Sequence, residues 1–125
     1  MSGLPTILIE RIQGQLGNEL PDFLRAMEAE SLRGIRFHPL RPVEGMLRED
    51  CLERIPWTKT GWILRHDSHA GRMPEHEAGA YYLQEPSAMI PAAVMDAQPG
   101  EKLLDLCAAP GGKSTQMGLA MEGNG

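Results

Sequence analysis

The stretch DLCAAPGGKST, residues 105–115, limits the folds open to this chain more than any other feature. It overlaps the end of the apolar run KLLDL at 102–106, and the sequence predicts a strand there, then a glycine-rich turn, then a helix from about Ser114. Glycines let the backbone approach a ligand while the N–H groups of the helix point at it. This order is typical of the cofactor end of a doubly wound α/β sheet.

The glycine pattern disfavours ATP, GTP and NAD as ligands. A P-loop would place its first glycine at position 107, which is Cys107, and Gly-x-Gly-x-x-Gly does not occur. Two alanines, a proline and paired glycines instead suit a ligand with one small anionic end, such as the carboxylate of S-adenosylmethionine. The N–H groups of Gly111 and Gly112 and the ammonium group of Lys113 would bind it. A tight turn with a solvated lysine is the alternative.

The remaining chain predicts two parts separated by a polar linker. The patterns predict helices over 5–16, 21–31 and 43–54, strands over 34–40 and 61–66, a linker within 66–79, a short extended segment at 80–84 and a helix from near Ser87. We therefore expect an α+β domain at 1–70 and the start of a second domain at 71–125.

Charge is unevenly divided along the chain, whose formal net charge is −5. Residues 1–66 carry nine basic and nine acidic groups, and residues 67–125 carry three and eight. The overall charge argues against a free-standing basic nucleic-acid binder. Arginine nevertheless suits bidentate phosphate contacts, and solvated surface with local ion pairs is the alternative. The arginines of the first part are Arg11, Arg25, Arg33, Arg36, Arg41, Arg48, Arg54 and Arg65.

Composition also bounds location and metal chemistry. No apolar run is long enough to span a bilayer and no secretory pattern opens the chain, so we expect a cytoplasmic protein. Cys51 and Cys107 are expected to be reduced thiols. The spacing of His66, His69 and His76 matches no helical ligand pair, and we expect no metal site.

Two ordered stretches resemble a known family. YYLQEPSAM at 81–89 and PGEKLLDLCAAPGGKSTQM at 99–117 resemble the cofactor-binding region of the Sun/Nol/Nop family of RNA cytosine-C5 methyltransferases, especially its bacterial ribosomal-RNA branch. Upstream, LRGIRFHPL at 32–40, PWTKTGW at 56–62 and HEAGAYYLQEP at 76–86 are similar to that family's N-terminal domain. The resemblance thus covers nearly the whole chain.

The resemblance implies an α/β protein: a small N-terminal α+β domain followed by the truncated start of a Rossmann-like, S-adenosyl-L-methionine-dependent methyltransferase domain. It implies RNA, ribosomal or transfer, as the partner of the first domain, and we expect a monomer at full length. The cofactor would lie over a loop of seven residues. They are Cys107, Ala108, Ala109, Pro110, Gly111, Gly112 and Lys113.

Catalysis in that family uses two cysteines in later Pro-Cys and Thr-Cys motifs, neither of which occurs in this sequence. We therefore expect no catalytic residue here, Cys107 included, and an N-terminal fragment that is inactive alone. Two alternatives remain open. One is a non-catalytic RNA- or ribosome-docking module with a vestigial cofactor loop, and the other is a truncated gene product without a function of its own.

Overall fold

The structure is a computed structural model that describes residues 4–41 and 44–125. The described residues divide into two compact units, one ending at Ser31 and the other running from Leu32 to Gly125. The first unit contains helices α1 (Thr6–Leu16) and α2 (Leu20–Glu28), joined by a 3₁₀ turn at Gly17–Glu19. Both predicted helices are confirmed.

A four-stranded antiparallel sheet forms the centre of the second unit. Its strands are β1 (Arg33–Phe37), β2 (Cys51–Arg54), β3 (Gly61–Leu64) and β4 (Tyr81–Leu83). Their order is β2-β3-β1-β4, and Ile35 lies opposite both Trp62 on β3 and Leu83 on β4. The strands predicted over 34–40 and 61–66 and the extended segment predicted at 80–84 are therefore confirmed. Strand β1 ends before Pro39, which has no N–H to donate to a neighbouring strand.

The hydrophobic core lies on one side of β1. It consists of Ile35, Phe37, Leu47, Leu64, Ala70, Ala80 and Tyr81. Phe37 and Tyr81 meet edge to face at 6.0 Å between ring centroids. The buried hydroxyl of Tyr81 donates a 2.7 Å hydrogen bond to the carbonyl oxygen of Ala70, so the polar end of this ring is satisfied inside the core. Because β4 supplies part of this core, the segments before and after position 70 pack together.

The predicted helix over 43–54 is wrong for the residues that the structure describes, which exclude position 43. A 3₁₀ turn occupies Glu44–Leu47 and β2 follows it. Strand β2 pairs with β3, placing Cys51 opposite Leu64 and Arg54 opposite Trp62 with a bulge between them. This pairing satisfies backbone groups along the sheet edge and overrides the helix-compatible spacing of the apolar residues.

The predicted linker is partly ordered into a 3₁₀ turn at Ala70–Arg72 and a short helix α3 (Pro74–Glu77). The helix predicted near Ser87 is confirmed as a 3₁₀ turn at Pro86–Met89 that continues into α4 (Ile90–Met95). The carboxylate of Glu85 accepts a 3.1 Å hydrogen bond from the N–H of Ala88 and so caps this turn.

The predicted strand at 102–106 is wrong, because the segment has no strand conformation. Among the described strands none pairs with it, and its Leu104 and Leu106 side chains are 84% and 86% exposed. Helix α5 (Gly112–Ala120) follows and begins slightly before the predicted start at Ser114. The mixed α/β class is therefore confirmed, with an antiparallel sheet as its ordered centre.

Candidate functional site

The candidate site is the turn that leads into α5. Gly111 precedes the helix with φ 108° and ψ −2°, a conformation that glycine adopts and other residues rarely do. In the part of the chain that the structure describes, no side chain caps this helix. The first N–H groups of a helix lack intrahelical acceptors, so residues 112–114 present donors at the turn.

Asp105, which precedes the turn, forms hydrogen bonds to residues at both of its ends. Its carboxylate accepts a 2.6 Å hydrogen bond from the hydroxyl of Ser114 and a 2.8 Å hydrogen bond from the N–H of Cys107. The Ser114 hydrogen bond, then that of Cys107 and the charge of Lys113, lower the pKa of Asp105. The ionised carboxylate therefore joins Cys107, where the loop begins, to Ser114 in the first turn of α5.

The sheet contacts the first turn of α5 through Arg36 on β1. This side chain is only 3% exposed, and its Nη2 donates hydrogen bonds to the carbonyl oxygen of Gly112 at 3.2 Å and to the hydroxyl of Thr115 at 2.8 Å. Burial lowers the pKa of Arg36, and the neighbouring Tyr82 partly opposes that shift. Arg36 is thus neither a solvated surface group nor an exposed phosphate contact.

Tyr82 on β4 binds the same turn from the other side of Gly111. Its hydroxyl donates a 3.2 Å hydrogen bond to the carbonyl oxygen of Pro110, and its ring lies 5.6 Å from the guanidinium carbon of Arg36. Two neighbouring strands therefore each contribute one side chain to the turn.

Glycine is needed at positions 111 and 112 for two different structural reasons. Gly111 supplies the positive φ, whereas Gly112 allows close packing against β4 and the residue after it. A Cβ atom at Gly112 would lie 3.1 Å from Nε2 of Gln84 and 3.4 Å from Cε1 of Tyr82. Gln84 has little freedom to retreat, because its Nε2 donates a 2.9 Å hydrogen bond to the carbonyl oxygen of Ala88.

Five of the seven predicted loop residues, 107–111, lie in the turn, and Gly112 and Lys113 begin α5. Residues 107–110 are exposed and residues 111–113 are half-buried. The sequence reasoning missed Arg36 and Tyr82 as supports of this turn. Tyr82 lies inside a stretch that carried the family resemblance, which was the available signal, whereas the alternation of β1 placed Arg36 on a face expected to be solvated.

A second surface of interest lies at the β2 edge of the sheet. A cavity of about 550 Å³ there is lined by Arg48, Arg54 and Trp62 together with Gly45, Cys51 and Leu52. The guanidinium carbon of Arg54 lies 4.4 Å from the ring centre of Trp62. The other tryptophan, Trp57, donates a 3.0 Å hydrogen bond to the carbonyl oxygen of Pro86 and is 41% exposed. Two arginines and one aromatic side chain, groups of the kind that bind nucleic acids, therefore line one cavity on this edge.

Within residues 4–41 and 44–125, no three histidine, cysteine, aspartate or glutamate side chains come together in a geometry that would hold a metal ion. Over the same ranges, no helix has the length and apolar character needed to cross a membrane.

Comparison with known proteins identifies the family. The model for the N-terminal domain of 16S rRNA methyltransferase RsmF matches residues 4–86. Ribosomal RNA small subunit methyltransferase F of Aliivibrio fischeri is 34% identical over 98% of this chain and 29% of its own length. The tRNA (cytosine(49)-C(5))-methyltransferase of Pyrococcus abyssi is 43% identical over 69% of this chain and 29% of its own.

Solved structures agree with these relatives. A methyltransferase homolog protein from Pyrococcus horikoshii superimposes with a TM-score of 0.80 and 31% identity, covering 98% of this chain and 43% of that one. This chain spans less than a third of the length of the two curated relatives. It belongs to the RNA cytosine-C5 methyltransferase family, of which it contains the RsmF-type N-terminal domain.

Proposed function

We propose that this chain is the N-terminal part of a cytoplasmic enzyme that transfers a methyl group from S-adenosyl-L-methionine to C5 of cytosine in ribosomal or transfer RNA. Its loop of residues 107–113 would bind the methyl donor. The part from position 71 would begin a Rossmann-like domain, and the part up to position 70 would contact RNA. The donor, when bound, supplies an electrophilic methyl group on its sulfonium sulfur.

The observation that carries this proposal is the uncapped start of α5 behind Gly111. The donors of residues 112–114 have no intrahelical acceptor, and the positive end of the helix dipole favours an anion there. Lys113, half-buried at the same point, adds a full positive charge. These groups fit an amino-acid carboxylate, which is one end of the proposed cofactor.

Neither cysteine of this chain carries the covalent step of the proposed reaction. Cys107 belongs to the cofactor loop, and Cys51 packs beside the core at the β2 edge. The resemblance implies that the nucleophile that adds to C6 of the cytosine comes from the later cysteine motifs of the family. In this proposal residues 1–125 bind and orient, and they do not carry the covalent step.

We place the RNA contact at the β2 edge. Arg48, Arg54 and Trp62 line one cavity there, and the Arg54 guanidinium lies over the Trp62 ring, so groups that suit phosphates and an unstacked base share one place. This contact predicts salt-sensitive RNA binding. Double substitution of Arg48 and Arg54 by Gln should weaken binding and flatten its dependence on salt concentration, as measured by gel shift.

The loop assignment is tested by Gly112→Val in the polypeptide encoded by the complete open reading frame. The branched side chain would enter space filled by Gln84 and Tyr82, so we expect affinity for S-adenosyl-L-methionine, measured by calorimetry, to fall by about tenfold or more. RNA affinity should change little. Gly118→Ala in the same helix is the control, because a Cβ atom there meets nothing within 4 Å.

Unchanged cofactor affinity in Gly112→Val would reject the loop assignment. Salt-sensitive RNA binding by the unmodified polypeptide, without any affinity for the cofactor, would instead support the alternative of a docking module with a vestigial loop. Formation of 5-methylcytosine in bound RNA decides between the two for the complete protein.

A further inference from the structure

Arg36 is a buried charge that the hydrophobic core does not explain. It is 3% exposed in the middle of β1, and the acceptors around it are a carbonyl oxygen and a hydroxyl. Its Nε has no hydrogen-bond partner among the described residues. Burying a guanidinium group is costly, and neutral acceptors return only part of that cost. A buried apolar side chain would pack against the sheet equally well. Packing alone therefore does not explain an arginine at this position.

The hydrogen bonds of Arg36 all lead to the first turn of α5. Gly112 and Thr115 are 76 and 79 positions away in sequence, so these bonds join the sheet to the loop directly. Tyr82 reaches the residue before Gly111 and places its ring beside the guanidinium group. The two side chains therefore bind the turn on both sides of Gly111, the residue with positive φ.

A glycine-rich turn has many accessible conformations, and ordering it for a ligand costs conformational entropy. If side chains already order the turn in the free protein, less conformational entropy is lost when the ligand binds, and affinity rises. We propose that Arg36 is a positioning residue for the cofactor loop, which fixes the first turn of α5 from β1 and so makes cofactor affinity depend on the antiparallel sheet. This inference rests on the proposed function of the loop.

The experiment compares four variants of the complete polypeptide. Arg36→Met removes the donor, Arg36→Lys keeps a charge on a shorter side chain, and Thr115→Val removes one acceptor. Arg33→Met is the matched control, because Arg33 lies on the same strand but donates to the carbonyl oxygens of His66 and Ser68. Amide hydrogen exchange of residues 112–115 is measured without cofactor, and calorimetric titration with S-adenosyl-L-methionine follows.

Arg36→Met should speed exchange at residues 112–115 and weaken cofactor affinity by about tenfold. Thr115→Val should change the exchange rate and the cofactor affinity in the same direction by less. For Arg36→Lys, both quantities should lie between those of Arg36→Met and those of the unmodified protein. In methylation assays the KM for the cofactor should rise while kcat at saturating cofactor changes little. Arg33→Met should leave both the exchange at residues 112–115 and the cofactor affinity unchanged.

Unchanged exchange at residues 112–115 in Arg36→Met would overturn the proposal. Equal acceleration across the strands would also overturn it, because it would show that Arg36 stabilises the whole fold without a specific effect on the turn. If the unmodified polypeptide does not bind the cofactor, the proposed function fails, while the exchange measurement still decides whether Arg36 positions the turn.

Discussion

Strand β1 and the segment 102–106 are both short runs with alternating or continuous apolar residues, yet only β1 is a strand. β1 lies between β3 and β4, with Ile35 0% and Phe37 4% exposed. The segment 102–106 pairs with none of the described strands and leaves Leu104 84% exposed. Apolar residues thus favour a strand, but hydrogen-bonding neighbours and a covering layer are what form it.

The sharpest test of this comparison makes the same substitution in the sheet and in the segment 102–106. It uses Leu64 on β3, which pairs with β1, and Leu104. Leu64→Ala, in a core position that is 1% exposed, should lower the free energy of unfolding by about 3 kcal/mol through lost burial and a cavity. Leu104→Ala should change it by no more than about 0.5 kcal/mol. Urea denaturation followed by circular dichroism measures both. Equal losses would mean that the segment 102–106 packs as tightly as the sheet.

A second test adds a methyl group to β1 and, as a contrast, to α5, the helix that follows the segment 102–106. A Cβ atom at Gly34 would lie 2.4 Å from the backbone carbonyl oxygen of Gln84, so Gly34→Ala should destabilise the protein by about 1–3 kcal/mol. Gly118→Ala in α5 meets open space and should stabilise the helix by up to about 1 kcal/mol. Thermal unfolding measures both. If Gly34→Ala left the unfolding temperature unchanged, β1 and residue 84 would be able to move apart without a loss of stability.

The smallest expected effect concerns pH. The hydrogen bond from Ser114 holds the pKa of Asp105 below its unfolded value, so the carboxylate stabilises the loop at neutral pH. That contribution should disappear as the pH falls below about 4, through the folded pKa. The amide resonance of Cys107 should report this transition by NMR, and Asp105→Asn should remove it. A matching transition at the amide of Ile35 would show that the sheet, and not the loop alone, responds to this group.

Local sequence signals predicted several elements well. Helical spacing bounded by Pro5 and Gly17 predicted α1, and alternation up to Pro39 predicted β1. They failed at β2, because Leu47, Leu52 and Ile55 also fit a helical period. The choice between helix and strand there was made by pairing with β3, which a local pattern does not contain.

The candidate loop could be located from sequence, whereas its supports could not. The glycines, the proline and the family resemblance all indicated residues 107–113. Arg36 alternates with Ile35 and Phe37, which predicts the solvated face of a half-buried strand. Helix α5 covers that face, and Arg36 binds its first turn. A second layer supplied by residues so far along the chain leaves no mark in the local pattern.

The uncovered leucines of the segment 102–106 also affect how the chain behaves in concentrated solution. Leu104 and Leu106, with Val94 at 78% exposure on α4, place hydrocarbon against water. Contact between two molecules would remove some of that surface from water, and this attraction weakens on cooling. Solutions of the polypeptide of residues 1–125 should therefore remain free of aggregates longest when they are kept dilute and cold.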